Sequence, residues 1–464
     1  MNIHVLKVNS LLIPRGLYTD WMGNALSDVN ANQLISEGAA ILTNIADPIP
    51  PLTGGSSLIA AKSSTSALGD SLIAYGLPQS GGVLSSGTYS NSEIAWYNDL
   101  AMAYGLTGFD IVNCYAIGGR TLEEILAVQV PLAAADTNEC AIVRGGINNL
   151  NSTLSNNDAV QTIISVMEQI ILGLASKKII VICSINPIYQ SGSTGAKVRA
   201  YLIPLINAGL QSMCKKYSNV IWNDTYSAMV DPSSAALDAL PNLLRSDDGI
   251  HFTSSGAQVS GYAMFNNIAK KVNLTRYKTK GANLVQDVWG TTGGTNTPGS
   301  GTITNPGNIP AGWNVQVASG NAAVTVTPLA PNMIRLAITN AGASASVIYL
   351  KTTNTTGLAA LVAKGDIIQS GFEFQVSGNS GLNRLAATNR INGTAQMYGM
   401  FEPNTTEEPT ITYPQKSGSG KRLTPPRLLD VDITSLEFFV AIKVAASTGA
   451  SIIDIGNPEL YKLT

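Results

Sequence analysis

Two histidines occur in the 464 residues, His4 and His251, and the second stands in Asp247-Asp248-Gly249-Ile250-His251. A carboxylate three residues before an imidazole can hold one ring nitrogen while the other takes up a proton. The partner that most needs such a base is a hydroxyl, which is a weak nucleophile near neutral pH until its proton is removed. Far upstream, Leu68-Gly69-Asp70-Ser71-Leu72 sets a serine on a turn directly after an apolar run. Ser71, Asp248 and His251 are therefore a candidate catalytic set, with His251 as base and then acid and Asp248 as the group that orients it.

Acyl transfer also needs donors aimed at the oxyanion of the transition state, and loss of one such donor costs on the order of 3 kcal/mol. Gly118-Gly119-Arg120-Thr121 offers a glycine pair, and Arg144-Gly145-Gly146-Ile147-Asn148-Asn149 offers a side-chain amide. The backbone N–H of Ser71, that of Gly119 and the Asn148 amide make a candidate oxyanion hole. Arg120 is a candidate substrate contact, or else a surface arginine at a helix start. Each motif alone is commonplace in a chain with 44 glycines, so the weight lies in their order. The chain has no Gly-x-Ser-x-Gly, the mark of the α/β-hydrolase elbow. No pair of opposed carboxylates announces a glycosidase.

What positions these residues is an alternation. Strand-like runs near 66–68, 110–114, 139–144, 179–185 and 219–222 are separated by helix-period stretches near 91–104, 121–134, 157–176, 196–217 and 255–272. Short apolar strands alternating with helices predict a parallel sheet covered on both faces, with ligands at the carboxyl ends of its strands. Ser71, Gly119, Asn148 and the 248–251 loop all fall at that edge. Residues 61–276 are expected to form this α/β domain. Residues 1–60 are read as a docking segment and linker, with a helix capped by Asp28 or Asn30 and a Pro/Gly-rich stretch at 48–55. From 277 to about 311 the chain reads as Gly/Thr-rich loop, and beyond it period-two runs such as 322–327, 333–338 and 438–444 predict an antiparallel β-sandwich over 277–464. Trp96 and Trp222 are expected in the core. Trp289 and Trp313 fit a sandwich core or seam, or a sugar-stacking platform.

Charged residues are 12% of the chain and the net charge is −2, which excludes a nucleic-acid partner on electrostatic grounds. No stretch reaches the roughly 18 apolar residues of a membrane span, and the first residues carry no secretory signal pattern. The four cysteines lie largely in apolar runs without a Cys-x-x-Cys pair, so buried thiols are expected and no metal or other cofactor is called for.

Taken in order, Gly-Asp-Ser, a glycine block, Gly-x-Asn and Asp-x-x-His resemble the SGNH hydrolase (GDSL esterase/lipase) superfamily, over about 61–276. The resemblance implies a three-layer, flavodoxin-like α/β/α fold and metal-free ester hydrolysis, often of acetyl groups on sugars. It makes Ser71 the nucleophile, His251 the base, Asp248 its orienting group, and Gly119 and Asn148 oxyanion donors. One departure is visible: the third block commonly reads Gly-x-Asn-Asp and here ends in Asn149. The appended sandwich resembles the jelly-roll modules found beside sugar-active enzymes, which points to an acetylated bacterial polysaccharide as partner. A phage tail or other extracellular setting fits that substrate, with a homo-oligomer expected, a trimer if the chain is a tail spike. The rival readings are a glycan-binding protein without turnover and an esterase of lipids or small molecules.

Overall fold

The computed structural model describes residues 58–77, 92–151, 154–189, 199–245, 247–285, 292–329, 332–378, 381–400, 418–446 and 448–464, with Lys197 and four two-residue strands at 3–4, 41–42, 79–80 and 83–84. The expected N-terminal helix, the 48–55 linker and Trp289 lie outside the described residues. His4 belongs to the strand Ile3–His4, which pairs with Ile41–Leu42.

The centre of the α/β part is a five-stranded sheet: β1 (Ser64–Gly69), β2 (Asp110–Cys114), β3 (Cys140–Arg144), β4 (Ile179–Cys183) and β5 (Val220–Asn223). All neighbours run parallel, in the spatial order β2-β1-β3-β4-β5. The order reverses between β1 and β3, and in such sheets a ligand crevice opens where neighbouring strands send their connections to opposite faces. Every residue of β1, β3 and β4 is buried, as befits strands covered on both sides. Their side chains alternate between two packed clusters. Ala67, Ile142, Val181 and Cys183 face one layer, and Leu68, Val143, Ile180 and Ile182 face the other.

The helices are α1 (Ser71–Ala74), α2 (Glu93–Ala103), α3 (Leu122–Glu124), α4 (Val130–Ala135), α5 (Asn156–Gly173), α6 (Ile203–Cys214), α7 (Tyr226–Met229) and α8 (Ser254–Ile268). Helices α2 and α8 cover one face through Ile94, Trp96, Leu100, Met264 and Ile268. A Cβ on Gly261 would stand 2.6 Å from the Glu93 carbonyl oxygen, so glycine lets these two helices meet. Helices α5 and α6 cover the other face through Ile163, Met167, Ile170, Ile206 and Leu210. The helix expected over 121–134 runs unbroken from Leu122 to Ala135, but its middle is a π-helical turn, Ile125–Gln129, with Pro131 just after it. A proline inside a helix removes a donor and crowds the preceding turn, which a widened turn accommodates. The helix expected over 196–217 begins with a 3₁₀ turn, Ala200–Leu202, and has Pro204 in its first turn.

The strand Ile59–Lys62 pairs with Val272–Thr275 beside the main sheet. The chain then enters a β-sandwich of a six-stranded and an eight-stranded sheet, pairing Lys280–Asn283 with its final strand, Thr448–Leu463. Val315, Ile348, Leu350 and Val440 of one sheet and Val324, Leu336, Phe372 and Ile453 of the other fill the space between them. The Gly/Thr-rich lead-in is not plain loop. Thr295–Thr297 and Thr302–Thr304 add as short edge strands, and they pair in parallel, so the sandwich is mixed at its margins. Trp313 is buried and meets Phe438 edge-on at 5.9 Å, which makes it core and removes it as a sugar platform.

The apolar cluster that lies beneath α2 and α8 continues without a break into the sandwich. Across the seam, buried Asp99 of α2 is paired with Arg422, and Arg276 donates to Gln369 at 3.2 Å. All four cysteines are buried and free, and burial pushes their thiols up to about 12. Among the described residues no helix is long and apolar enough to cross a membrane, and no cluster of metal-ligating side chains occurs.

Candidate active site

The turn that carries Ser71 is held from three sides. Gly69 has φ +154°, and a Cβ there would lie 2.2 Å from the Arg144 carbonyl oxygen, so β1 and β3 can close up only at a glycine. The side-chain amide of Gln129, from the π turn, donates to the Gly69 carbonyl and accepts from the Gly69 N–H, each at 2.8 Å. Asp70 caps α1, with Oδ1 accepting from the Leu72 N–H at 3.0 Å. Its other oxygen, Oδ2, is buried without a hydrogen-bond partner among the described residues. Burial pushes the Asp70 carboxyl up to about 6, against the pull of the Leu72 N–H and of Arg144.

His251 arrives on a loop folded on itself. Its backbone carbonyl accepts from the Arg245 N–H at 2.8 Å, and the Gly249 N–H returns to the Arg245 carbonyl at 2.8 Å. Thr253 ends the loop by capping α8, its Oγ1 accepting from the Gly256 N–H at 3.0 Å. Within the loop, Asp248 Oδ1 accepts from the Ile250 and His251 N–H groups at 2.8 and 3.0 Å. Asp248 Oδ2 lies 2.6 Å from His251 Nδ1, and His251 Nε2 lies 2.7 Å from Ser71 Oγ. Burial works against the charged form of Asp248. The His251 ring and the two backbone donors outweigh it and hold the carboxyl at about 2. Arg245 is bound to Asp247 through two hydrogen bonds, with its Nε 3.5 Å from Asp248 Oδ2.

The glycine pair follows β2. A Cβ on Gly118 would meet Ser71 Cβ at 3.7 Å, whereas one on Gly119, whose φ is +78°, would meet open space. Gly118 is thus the residue against the serine, and Gly119 turns the chain at the mouth of the site. Asn148, in a 3₁₀ turn after β3, donates one amide hydrogen to the Arg120 carbonyl at 3.0 Å. An amide carries two such hydrogens, so one fixes the group beside the glycine turn and the other remains to donate. The Arg120 guanidinium is occupied with Glu124 one turn along, and both side chains are partly exposed. Asn149, the departure from the usual block, accepts from the Leu122 N–H at 3.0 Å and donates to Glu123 at 2.8 Å. A carboxylate could do the first and not the second.

Beneath the site lies a buried ion pair absent from the sequence reading. Arg144, 1% exposed, holds Glu93 of α2 through Nε at 2.7 Å, and also donates to the Ser184 carbonyl and to Asn186 and Thr225. Ser260 of α8 donates to the same Glu93. Gln129, Arg144, Glu93 and the ring of Tyr75, which lies 4.5 Å from the imidazole, were not singled out beforehand. Only Tyr75 carried a local signal, standing four residues after Ser71 on one helical turn.

A parallel sheet covered on both faces, with a hydrogen-bonded serine, histidine and aspartate at its switch point, defines a hydrolase-like α/β domain. Residues 67–259 match the model of the GDSL-like lipase/acylhydrolase family, which supports the SGNH hydrolase superfamily and ester hydrolysis for this part of the chain. A comparison with curated proteins finds no match. Among solved structures, an acetyl-xylooligosaccharide esterase variant from Geobacillus stearothermophilus is similar at 17% identity, over 47% of this chain and 100% of that one, with a TM-score of 0.36. An acetylxylan esterase from the same organism is similar at 18% identity, over 46% and 96%, with a TM-score of 0.35. An α/β hydrolase from the metagenome of Lake Arreo, Spain, is similar at 15% identity, over 46% and 99%, with a TM-score of 0.35.

Proposed function

We propose that the chain is a serine esterase that removes O-acetyl groups from a carbohydrate, in the first instance a bacterial surface polysaccharide. The observation that carries the catalytic part is the unbroken hydrogen-bond path Asp248–His251–Ser71, closed across 180 positions of sequence. Ser71 Oγ attacks the ester carbonyl as its proton passes to His251 Nε2. The tetrahedral oxyanion is met by the Asn148 amide and the backbone N–H groups of Gly119 and Ser71. The bond to the alcohol oxygen then breaks, and Nε2 returns its proton to the departing alcohol. Water attacks the acyl-serine with Nε2 as base, the bond to Oγ breaks, and the acid is released with the serine restored. Asp248 stays charged throughout, holding the ring in one orientation and stabilising its protonated form. Arg120 stands at the rim and has no part in these steps.

The carbohydrate part is supported by the sandwich fused to the hydrolase domain and by the low-charge, Asn/Thr/Gly-rich composition. The test is acetate release from a panel of acetylated bacterial polysaccharides, with Ser71→Ala as the blank. Release by the native chain, reduced by on the order of 10⁴-fold or more in the variant, is the expected result. A variant as active as the native chain overturns the serine mechanism. Hydrolysis of model esters with none of any polysaccharide overturns the substrate class, and binding of glycan without turnover of any ester favours a lectin-like role.

A further inference from the structure

Tyr75 closes α1, and its backbone N–H donates to the Ser71 carbonyl at 3.0 Å, so the two residues share one side of that turn. The tyrosine ring lies against the His251 imidazole, centroids 4.5 Å apart and planes inclined by 31°. Even so, 51% of the residue is exposed. A methyl group built on Gly118 would touch Tyr75 Cε1 at 3.8 Å and Ser71 Cβ at 3.7 Å. Ser71, Gly118 and Tyr75 therefore border a single gap, which the glycine keeps open.

The chemistry gives that gap a side. The carbonyl oxygen of a bound ester turns toward Gly119 and Asn148, whereas the alcohol must depart next to His251 Nε2, the group that reprotonates it. A ring stacked on the imidazole is on the alcohol's side. Aromatic faces pack well against flat arrays of C–H groups and poorly against thin chains, so an exposed ring here favours a cyclic alcohol such as a pyranose.

We infer that Tyr75 forms a leaving-group subsite, its exposed ring packing against the sugar ring that bears the ester. The inference rests on the esterase reading and deepens it. The contact is made by the ring, so phenylalanine preserves it and leucine does not.

The test uses the full-length chain and acetate release from two esters, methyl 6-O-acetyl-glucopyranoside and ethyl acetate. Tyr75→Leu is expected to lower kcat/KM for the sugar ester about tenfold more than for ethyl acetate, chiefly through KM, and Tyr75→Phe to keep the native ratio. Equal losses on both esters would show that the ring serves only His251, and would overturn the subsite, as would no loss on either. A second arm measures binding of methyl glucopyranoside by NMR titration in the Ser71→Ala background. Weakening of about tenfold on adding Tyr75→Leu supports the subsite, and unchanged affinity overturns it. Retained hydrolysis in Ser71→Ala alone would strike the serine mechanism instead, while the binding arm still decides for or against Tyr75.

Discussion

Gln129 and Gly69 are joined as two strands would be: the side-chain amide donates to the glycine's carbonyl and accepts from its N–H, both at 2.8 Å. A side chain from a π turn thereby supplies a backbone-like pairing one residue short of the Asp70-Ser71 turn. Replacement by methionine keeps the bulk and strands two buried backbone groups, at a cost of about 1–3 kcal/mol. Gln129→Met should lower the urea midpoint accordingly and reduce kcat for ester hydrolysis more than it raises KM.

Asp248 has a second job that its position in sequence does not reveal, because Oδ1 ties down its own loop while Oδ2 holds the imidazole. Asp248→Asn keeps the shape and loses the charge, and it allows the ring to settle in the wrong tautomer. We expect kcat to fall by roughly 10³–10⁴-fold with little change in KM, read with p-nitrophenyl acetate. The carboxyl is held at about 2, below its ordinary value, so its ionised contacts add stability above about pH 4 and that contribution is lost as the pH falls toward 2. Acid unfolding of Asp248→Asn should show a weaker dependence over that window.

For Asp70 the sign is reversed. Burial raises its carboxyl to about 6, so the fold carries no charge penalty below about pH 4, and the penalty grows as the pH rises through 6. The difference in melting temperature, Asp70→Asn minus native, should become more positive between pH 4 and pH 7.5. A difference that is flat or falls with pH would contradict this account of the buried oxygen.

Asn149 both accepts from Leu122 and donates to Glu123. Asn149→Asp would set two carboxylates face to face, costing about 1–2 kcal/mol, and Glu123→Gln should restore the loss. A double-mutant cycle on chemical denaturation measures the coupling.

Arg144 and Glu93 form a buried pair between β3 and α2, with 1% and 2% side-chain exposure. Removing one partner leaves the other charge buried, so Arg144→Met should destabilise the chain by about 3–5 kcal/mol. The Glu93→Gln/Arg144→Met double variant should recover part of it, measured by urea unfolding.

The parallel sheet is readable because strands buried on both faces are written as apolar runs, and 179–183 is Ile-Ile-Val-Ile-Cys. The Asp248–His251 loop is readable because the two residues are neighbours and histidine is scarce here. What could not be read depends on partners remote in the chain: Gln129 finds Gly69 across 60 residues, and Arg144 finds Glu93 across 51. The parallel edge strands at 295–297 and 302–304 escaped for another reason. All their residues but Ile303 are polar and solvent-facing, and one apolar side chain in two three-residue strands is too little to mark them.

The apolar cluster shared by the α2–α8 layer and the sandwich has a bearing on how this chain can be cut and recombined. A break near residue 277 would uncover Leu274 and Val285, both nearly fully covered, and would part Asp99 from Arg422. The α/β half is therefore not a cassette that can be lifted onto another scaffold. It should aggregate when expressed alone, and the two halves should melt in a single calorimetric transition.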